Sequence, residues 1–368
     1  MLMGAPHRAA AAAAAAMLTV ALTPGTAVAA PDTPLKKLKA GSWIIADADT
    51  GEVLAARNPH RRFLPASTQK VLTAVTLIPR LGDQTMIQPT RESVEPEGTK
   101  VGMTPKLTYP SGDLFRALLM ASANDAAMTL TLPQGGMKPT LDLMNAEAKR
   151  IGAVDTLAGS PNGLDVDLGL NVKTQYTTSY DLALILREGL KMPGFVEYAA
   201  TVHSTFPALR PAKVDKKTKK KTPAKRYKMP IYSHIRMLPG ESRAYKGFIA
   251  GKNGYTNAAR QTFVGAAERN GRRIIIALMK AESLWDNAET LFDWGFANAG
   301  KVEPVEALAQ PVPSASESPS TAARRESQKG GSEKESGSND LLLGAVGGGF
   351  ILAGMAVLLF RRRPASTE

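Results

Sequence analysis

Pro65-Ala66-Ser67-Thr68-Gln69-Lys70 opens a segment whose apolar positions Val71, Leu72, Val75 and Ile78 recur at helical spacing. A helix over Ser67–Ile78, stopped by Pro79, is predicted. Immediately upstream, Trp43–Asp47 and Glu52–Ala56 read as two strands joined by an Asp49-Thr50-Gly51 turn. Downstream, helical patterns cover Ser111–Ala121, Asp125–Leu132, Thr140–Ile151 and Ser179–Leu190, the last with Ser179 as N-cap. The far end returns to strands. Gly247–Ala250 is short, and Thr262–Glu268 and Arg272–Met279 flank Asn270-Gly271, a strong hairpin signal. A helix over Ser283–Phe296 closes the pattern. Strands at both ends and helices between them predict an α+β fold, with an antiparallel sheet assembled from both ends and a helical subdomain inserted.

The 368 residues suffice for a sizeable core. With no cysteine, the chain is excluded from disulfide, thiolate-zinc, iron–sulfur and Cys-nucleophile chemistry. The four histidines, His7, His60, His203 and His234, show no metal-ligand spacing, so no metal and no cofactor is expected. The net charge is +13, but Lys213–Lys228 alone carries nine Lys/Arg against one Asp, a net +8. That run is read as a solvated loop, with anionic wall polymers or lipid headgroups as its alternative partners, and not as a nucleic-acid site.

Both ends suggest export. His7 and Arg8, the Ala-rich run Ala9–Leu22 and the small residues Ala27-Val28-Ala29 describe a signal peptide over 1–30. Leu341–Phe360 is twenty residues without a charge, followed by Arg361-Arg362-Arg363: a membrane span with the body outside and 361–368 as the cytoplasmic tail. Residues 302–340, rich in Ser, Glu, Pro, Lys and Gly, read as a disordered linker. The folded domain is thus expected over 31–301, its α/β part at about 35–100 and 229–300 and its helical part at about 101–228.

Three short motifs carry chemistry. In Ser67-Thr68-Gln69-Lys70 the i,i+3 spacing lets the amine approach the hydroxyl on one helix face. A serine becomes a nucleophile when a base takes its proton, and a lysine serves as that base when burial or neighbouring charge lowers its pKa. Ser122-Ala123-Asn124, between two helices, offers a hydroxyl that can relay a proton and an amide that can hold a carbonyl. Lys252-Asn253-Gly254 adds a cation to a cleft and a glycine that permits close approach. Each motif alone is weak. Ser160-Pro161-Asn162 also fits the second pattern, and Lys39-Ala40-Gly41 the third.

Their order and wide spacing, with the stretches "WIIADADTGEVLAARNPHRRFLPASTQKVLTA", "LLMASANDAA" and "GKNGYTNAARQTFVGAAERNGRRIIIAL", resemble the penicillin-recognising serine enzymes over about 40–295. The chain looks most like the low-molecular-mass D-alanyl-D-alanine carboxypeptidases. The resemblance implies a β-lactamase/transpeptidase-like fold. It implies Ser67 as acylated nucleophile, Lys70 as its base and Ser122 as proton relay. Asn124 would orient substrate and Lys252 would steer it, while the N–H groups of Ser67 and Tyr255 would form the oxyanion hole. The substrate would be the peptidoglycan stem peptide, with β-lactams as covalent inhibitors. The family's third motif most often carries Thr where this chain has Asn253, so Thr256 and Arg260 are named for the remaining contacts to the substrate carboxylate. A D,D-endopeptidase or transpeptidase, or a non-catalytic wall-binding homologue, remains open at this point.

Overall fold

The computed structural model describes residues 33–312 apart from 215. The expected signal peptide and the apolar segment 341–360 with its cytoplasmic tail lie outside the described residues. Among those described, no helix is long and apolar enough to cross a membrane.

After a short helix α1 (Thr33–Lys36), strands β1 (Ser42–Asp47) and β2 (Glu52–Arg57) form the expected hairpin. A 3-10 turn, Ala66–Thr68, leads into α2 (Gln69–Leu77), and Pro79 sits in a second 3-10 turn that ends the segment. The helical part follows: α3 (Arg91–Val94) between the two-residue strands β3 (Met86–Ile87) and β4 (Tyr109–Pro110), then α4 (Ser111–Leu119), α5 (Asn124–Thr129), α6 (Met137–Arg150), α7 (Ser179–Gly189) and α8 (Pro193–Ala200). Thr178, not Ser179, caps α7: its Oγ1 accepts the Asp181 N–H at 3.0 Å. Strands β5 (His203–Arg210) and β8 (Lys225–Tyr232) form an antiparallel arm, with β6 (Lys213–Val214) and β7 (Lys221–Thr222) near its tip. Half of the run expected as a loop over Lys213–Lys228 is therefore strand. The chain then returns to the main sheet through β9 (Phe248–Thr256), β10 (Arg260–Arg269) and β11 (Arg272–Ala281), covered by α9 (Leu284–Asn298).

The main sheet, with a last short strand β12 (Glu306–Ala307), has the order β12-β2-β1-β11-β10-β9, antiparallel throughout, so both ends of the domain build it. Asn270 and Gly271 join β10 to β11 with φ of 53° and 73°, the geometry of a two-residue hairpin turn. Strand alternation splits the core in two. Ile44, Ala46, Ile275 and Ala277 share one core with α7, which packs on β1 and β11, and with α2 and α4, whereas Trp43, Ile45, Ile274 and Ile276 share the other with α9. Central strands buried on both faces explain why β1 and β11 read as continuous apolar runs.

Two expectations need correction. The strand placed at Gly247–Ala250 runs on to Thr256, so Lys252-Asn253-Gly254 lies within a strand at the sheet's edge rather than beyond its end. The segment read as linker from residue 302 is packed at its start: β12 (Glu306–Ala307) pairs with β2, Leu308 is buried, and the Val312 N–H reaches the Arg150 carbonyl.

Candidate active site

Ser67 lies in the 3-10 turn that starts α2, and the residue before it, Ala66, has φ of 47°. A left-handed alanine costs about 1–2 kcal/mol and persists only where its surroundings fix it. Here two hydroxyls clamp the Pro65 carbonyl, Thr68 Oγ1 at 2.6 Å and Thr262 Oγ1 at 2.9 Å. The second clamp reaches from β10, tying the nucleophile's turn to the sheet.

One helical turn on, Lys70 is fully buried. Its Nζ donates to Ser67 Oγ, Asn124 Oδ1 and the Asn162 carbonyl, each at 2.8 Å. Burial, reinforced by the positive charge of Lys252, pushes its pKa well below the ordinary lysine value; Asp125 opposes this. The Asp125 carboxylate is itself engaged by the N–H groups of Val101, Gly102 and Met103. Once deprotonated, the amine keeps two N–H bonds, enough for Asn124 Oδ1 and the Asn162 carbonyl, and turns its lone pair to the Ser67 hydroxyl as a base in place to take its proton.

Ser122 joins α4 to α5, also in the left-handed region at φ 58°. The Ala123 N–H bonds the Ala117 carbonyl and the His234 N–H the Met120 carbonyl, bracketing the turn. Asn124 bridges: its Oδ1 accepts from Lys70 and its Nδ2 donates to the Glu97 carbonyl at 2.6 Å.

The third wall is β9. Lys252 is fully buried, and desolvation lowers its pKa to about 7. Its Nζ donates to the Asn253 carbonyl at 2.6 Å. A Cβ on Gly254 would lie 2.6 Å from Ser67 N, so only glycine lets the strand come this close to the nucleophile's amide. Tyr255 is exposed on the strand's rim. Beyond Asn253 opens a cavity of about 800 Å³ lined by His234, Arg236, Asn253, Tyr255, Gln261 and Trp285 among others. Burial, reinforced by the positive charges of Lys252 and Lys70, lowers the pKa of His234 below the ordinary histidine value.

Ser67, Lys70, Asn124 and the Lys252-Asn253-Gly254 strand thus converge, and Ser122 lies buried two residues before Asn124 in the same turn. One carboxylate-binding candidate is already engaged. The Thr256 hydroxyl donates to Asp165 Oδ2 at 2.6 Å and accepts the Ala259 N–H, so its proton is already committed. Arg260 sits at the hairpin end with φ 59°, whereas Arg236 lines the cavity beside Asn253. The Asn162 carbonyl on Lys70 was missed by sequence reasoning. It belongs to Ser160-Pro161-Asn162, the segment that matched the second motif but carried no other signal.

A family profile described as D-alanyl-D-alanine carboxypeptidase matches residues 26–283. The chain is 37% identical over 280 residues to the D-alanyl-D-alanine carboxypeptidase DacB2 of Mycobacterium tuberculosis, covering 74% of this chain and 86% of that protein. A crystal structure of a D-alanyl-D-alanine carboxypeptidase from Mycobacterium tuberculosis superposes with a TM-score of 0.64 at 35% identity, over 79% of this chain and 99% of that one. Penicillin-binding protein D2 from Listeria monocytogenes in its ampicillin-bound form superposes with a TM-score of 0.55 at 26% identity, over 71% of this chain and 98% of that one.

Proposed function

The chain belongs to the D-alanyl-D-alanine carboxypeptidase family, and from that premise we propose how its cleft removes the terminal D-Ala of a peptidoglycan stem peptide. It is a serine-type carboxypeptidase. Lys70 takes the Ser67 proton as Ser67 Oγ attacks the penultimate D-Ala carbonyl. The N–H groups of Ser67 and Tyr255 receive the oxyanion. Ser122 passes a proton to the leaving amine, the C–N bond breaks and terminal D-Ala departs. Water then hydrolyses the ester, restoring the hydroxyl and leaving a shortened peptide. The single observation that carries this reading is the 2.8 Å hydrogen bond from a fully buried Lys70 Nζ to Ser67 Oγ.

The missing third-motif hydroxyl is compensated on the cavity side. The Asn253 amide can still donate, and Arg236 on the same wall supplies the charge for the substrate's terminal carboxylate in place of Arg260. Residues 1–30 direct export, and Leu341–Phe360 anchors the catalytic body at the outer face of the membrane.

Intact mass after exposure to benzylpenicillin tests the nucleophile. One adduct on the parent, none on Ser67→Ala, and release of D-Ala from a pentapeptide by the parent alone are expected. A parent that leaves both drug and pentapeptide unchanged overturns the reading.

The lysine environments set a pH profile. Burial makes Lys70 give up its proton at a lower pH than an ordinary lysine, so the acid limb of kcat/KM lies well below an ordinary lysine pKa. Lys252 is cationic below about 7 and loses its charge above, so kcat/KM falls as pH rises through that region. Lys252→Arg keeps its charge throughout, and its profile, whatever its height, is expected to lose that alkaline limb. A limb unchanged in the variant would assign it to another group.

A further inference from the structure

The arm formed by β5 and β8 has no part in the chemistry above. Its eight cross-strand pairs run from His203↔Tyr232 to Arg210↔Lys225, about 27 Å at ~3.4 Å per residue. The base is rooted in the body: Phe206, Ala208 and Ile231 are buried, and Phe206 stacks on Tyr109 with ring centroids 5.2 Å apart. Outward of that root the character changes. Every described residue from 210 to 228 is exposed, among them Lys213, Lys219, Lys220, Lys221, Lys225 and Arg226. None of these six forms a salt bridge among the described residues.

This arrangement opposes its own folding. Arg210 stands directly across from Lys225, and like charges in that position repel. Strand alternation puts Lys225 and Tyr227 on one face of the arm and Arg226 and Lys228 on the other. Charge on both faces of a narrow ribbon does not match a flat surface, which meets one face only. It matches a flexible linear polyanion that can wrap the ribbon and release counterions as it does so.

We propose that the arm is a binding site for a linear phosphodiester-bearing polymer of the cell wall, holding the enzyme beside its substrate. The inference takes from the proposed function only the location outside the membrane; it does not need Ser67 chemistry.

The test uses the full-length protein in mild detergent, titrated with poly(glycerol phosphate) at several salt concentrations. The comparison is a variant carrying Lys219→Gln, Lys220→Gln, Lys221→Gln, Lys225→Gln and Arg226→Gln. The parent is expected to bind with an affinity that falls steeply with salt. The variant is expected to bind at least about tenfold more weakly, with a log–log salt slope shallower by about 3.5 for five charges at ~0.7 each. Benzylpenicillin acylation of the variant stays at the parent level, which reports an intact body, and Ser67→Ala binds the polymer like the parent. Equal polymer affinity of parent and variant overturns the proposal. So does a parent that binds anionic-lipid vesicles through these five residues but ignores the polymer.

Discussion

Lys70→Ala abolishes acylation of Ser67 on the time scale of the parent reaction, a loss of about 10²–10⁴ in the rate of benzylpenicillin adduct formation. No other lysine can take over. The Lys252 amine is turned to the Asn253 carbonyl, and its charge adds to burial in lowering the pKa of Lys70. Removing the Lys70 side chain also strands Asn124 Oδ1 and the Asn162 carbonyl. Some stability is therefore lost along with the base, about 1–3 kcal/mol per buried acceptor left unpaired. Lys70→Met leaves the same two acceptors unpaired but fills the channel with an unbranched chain, so it separates loss of the amine from the cavity that alanine leaves. Both variants are expected to keep the circular dichroism of the parent and to lose the adduct. A near-parent adduct rate in Lys70→Met would move the base elsewhere, and His234 would be the next group to replace.

The parts of this site that sequence could disclose are those set by local geometry. Ser67 and Lys70 meet because i and i+3 share a helix face, so the spacing alone announces the pair. The Asn270-Gly271 hairpin is equally local, since two residues determine the turn. Lys252-Asn253-Gly254 was found as a motif, but the strand that carries it was ended too early, at Ala250. Glycines at 251 and 254 look like breakers until the tertiary structure shows Gly254 against the Ser67 amide. The Asn162 contact was hidden for a different reason. A backbone carbonyl 92 residues away from Lys70 leaves no side-chain signature. The arm was hidden because its outer part lacks the apolar alternation that marks a half-buried strand; only the pairing with His203–Arg210 reveals it. Thr256 shows the limit of transfer by resemblance: the residue type fits a carboxylate contact, but Asp165 already holds its proton.

That hidden loop carries the largest steric prediction. Gly163 follows Asn162 with φ of 82°, and a Cβ there would stand 1.8 Å from the Ala66 carbonyl oxygen and 2.5 Å from its carbon. Both neighbours are backbone, so no side-chain rotation relieves the clash. One route moves Ala66, already left-handed and directly before Ser67. The other withdraws the loop and takes the Asn162 carbonyl off Lys70. The loop resists withdrawal: the Gly163 N–H is held by Ser160 Oγ at 3.0 Å, Ser160 by Gln175, and the Pro161 carbonyl by Thr73 Oγ1 at 2.6 Å. Gly163→Ala is therefore expected to cost about 3–5 kcal/mol, the sum of left-handed strain and overpacking. It should also slow acylation about a hundredfold, because either route disturbs a group bonded to the base or the nucleophile's own turn. Gly169→Ala isolates the steric part. Gly169 is also left-handed, at φ 65°, but a Cβ there meets nothing within 4 Å. It should lose about 1–2 kcal/mol by denaturant midpoint and acylate at the parent rate. If the two variants lose equal stability and acylate alike, the loop does not press on the nucleophile's turn, and Asn162 is not part of the machinery that holds Lys70.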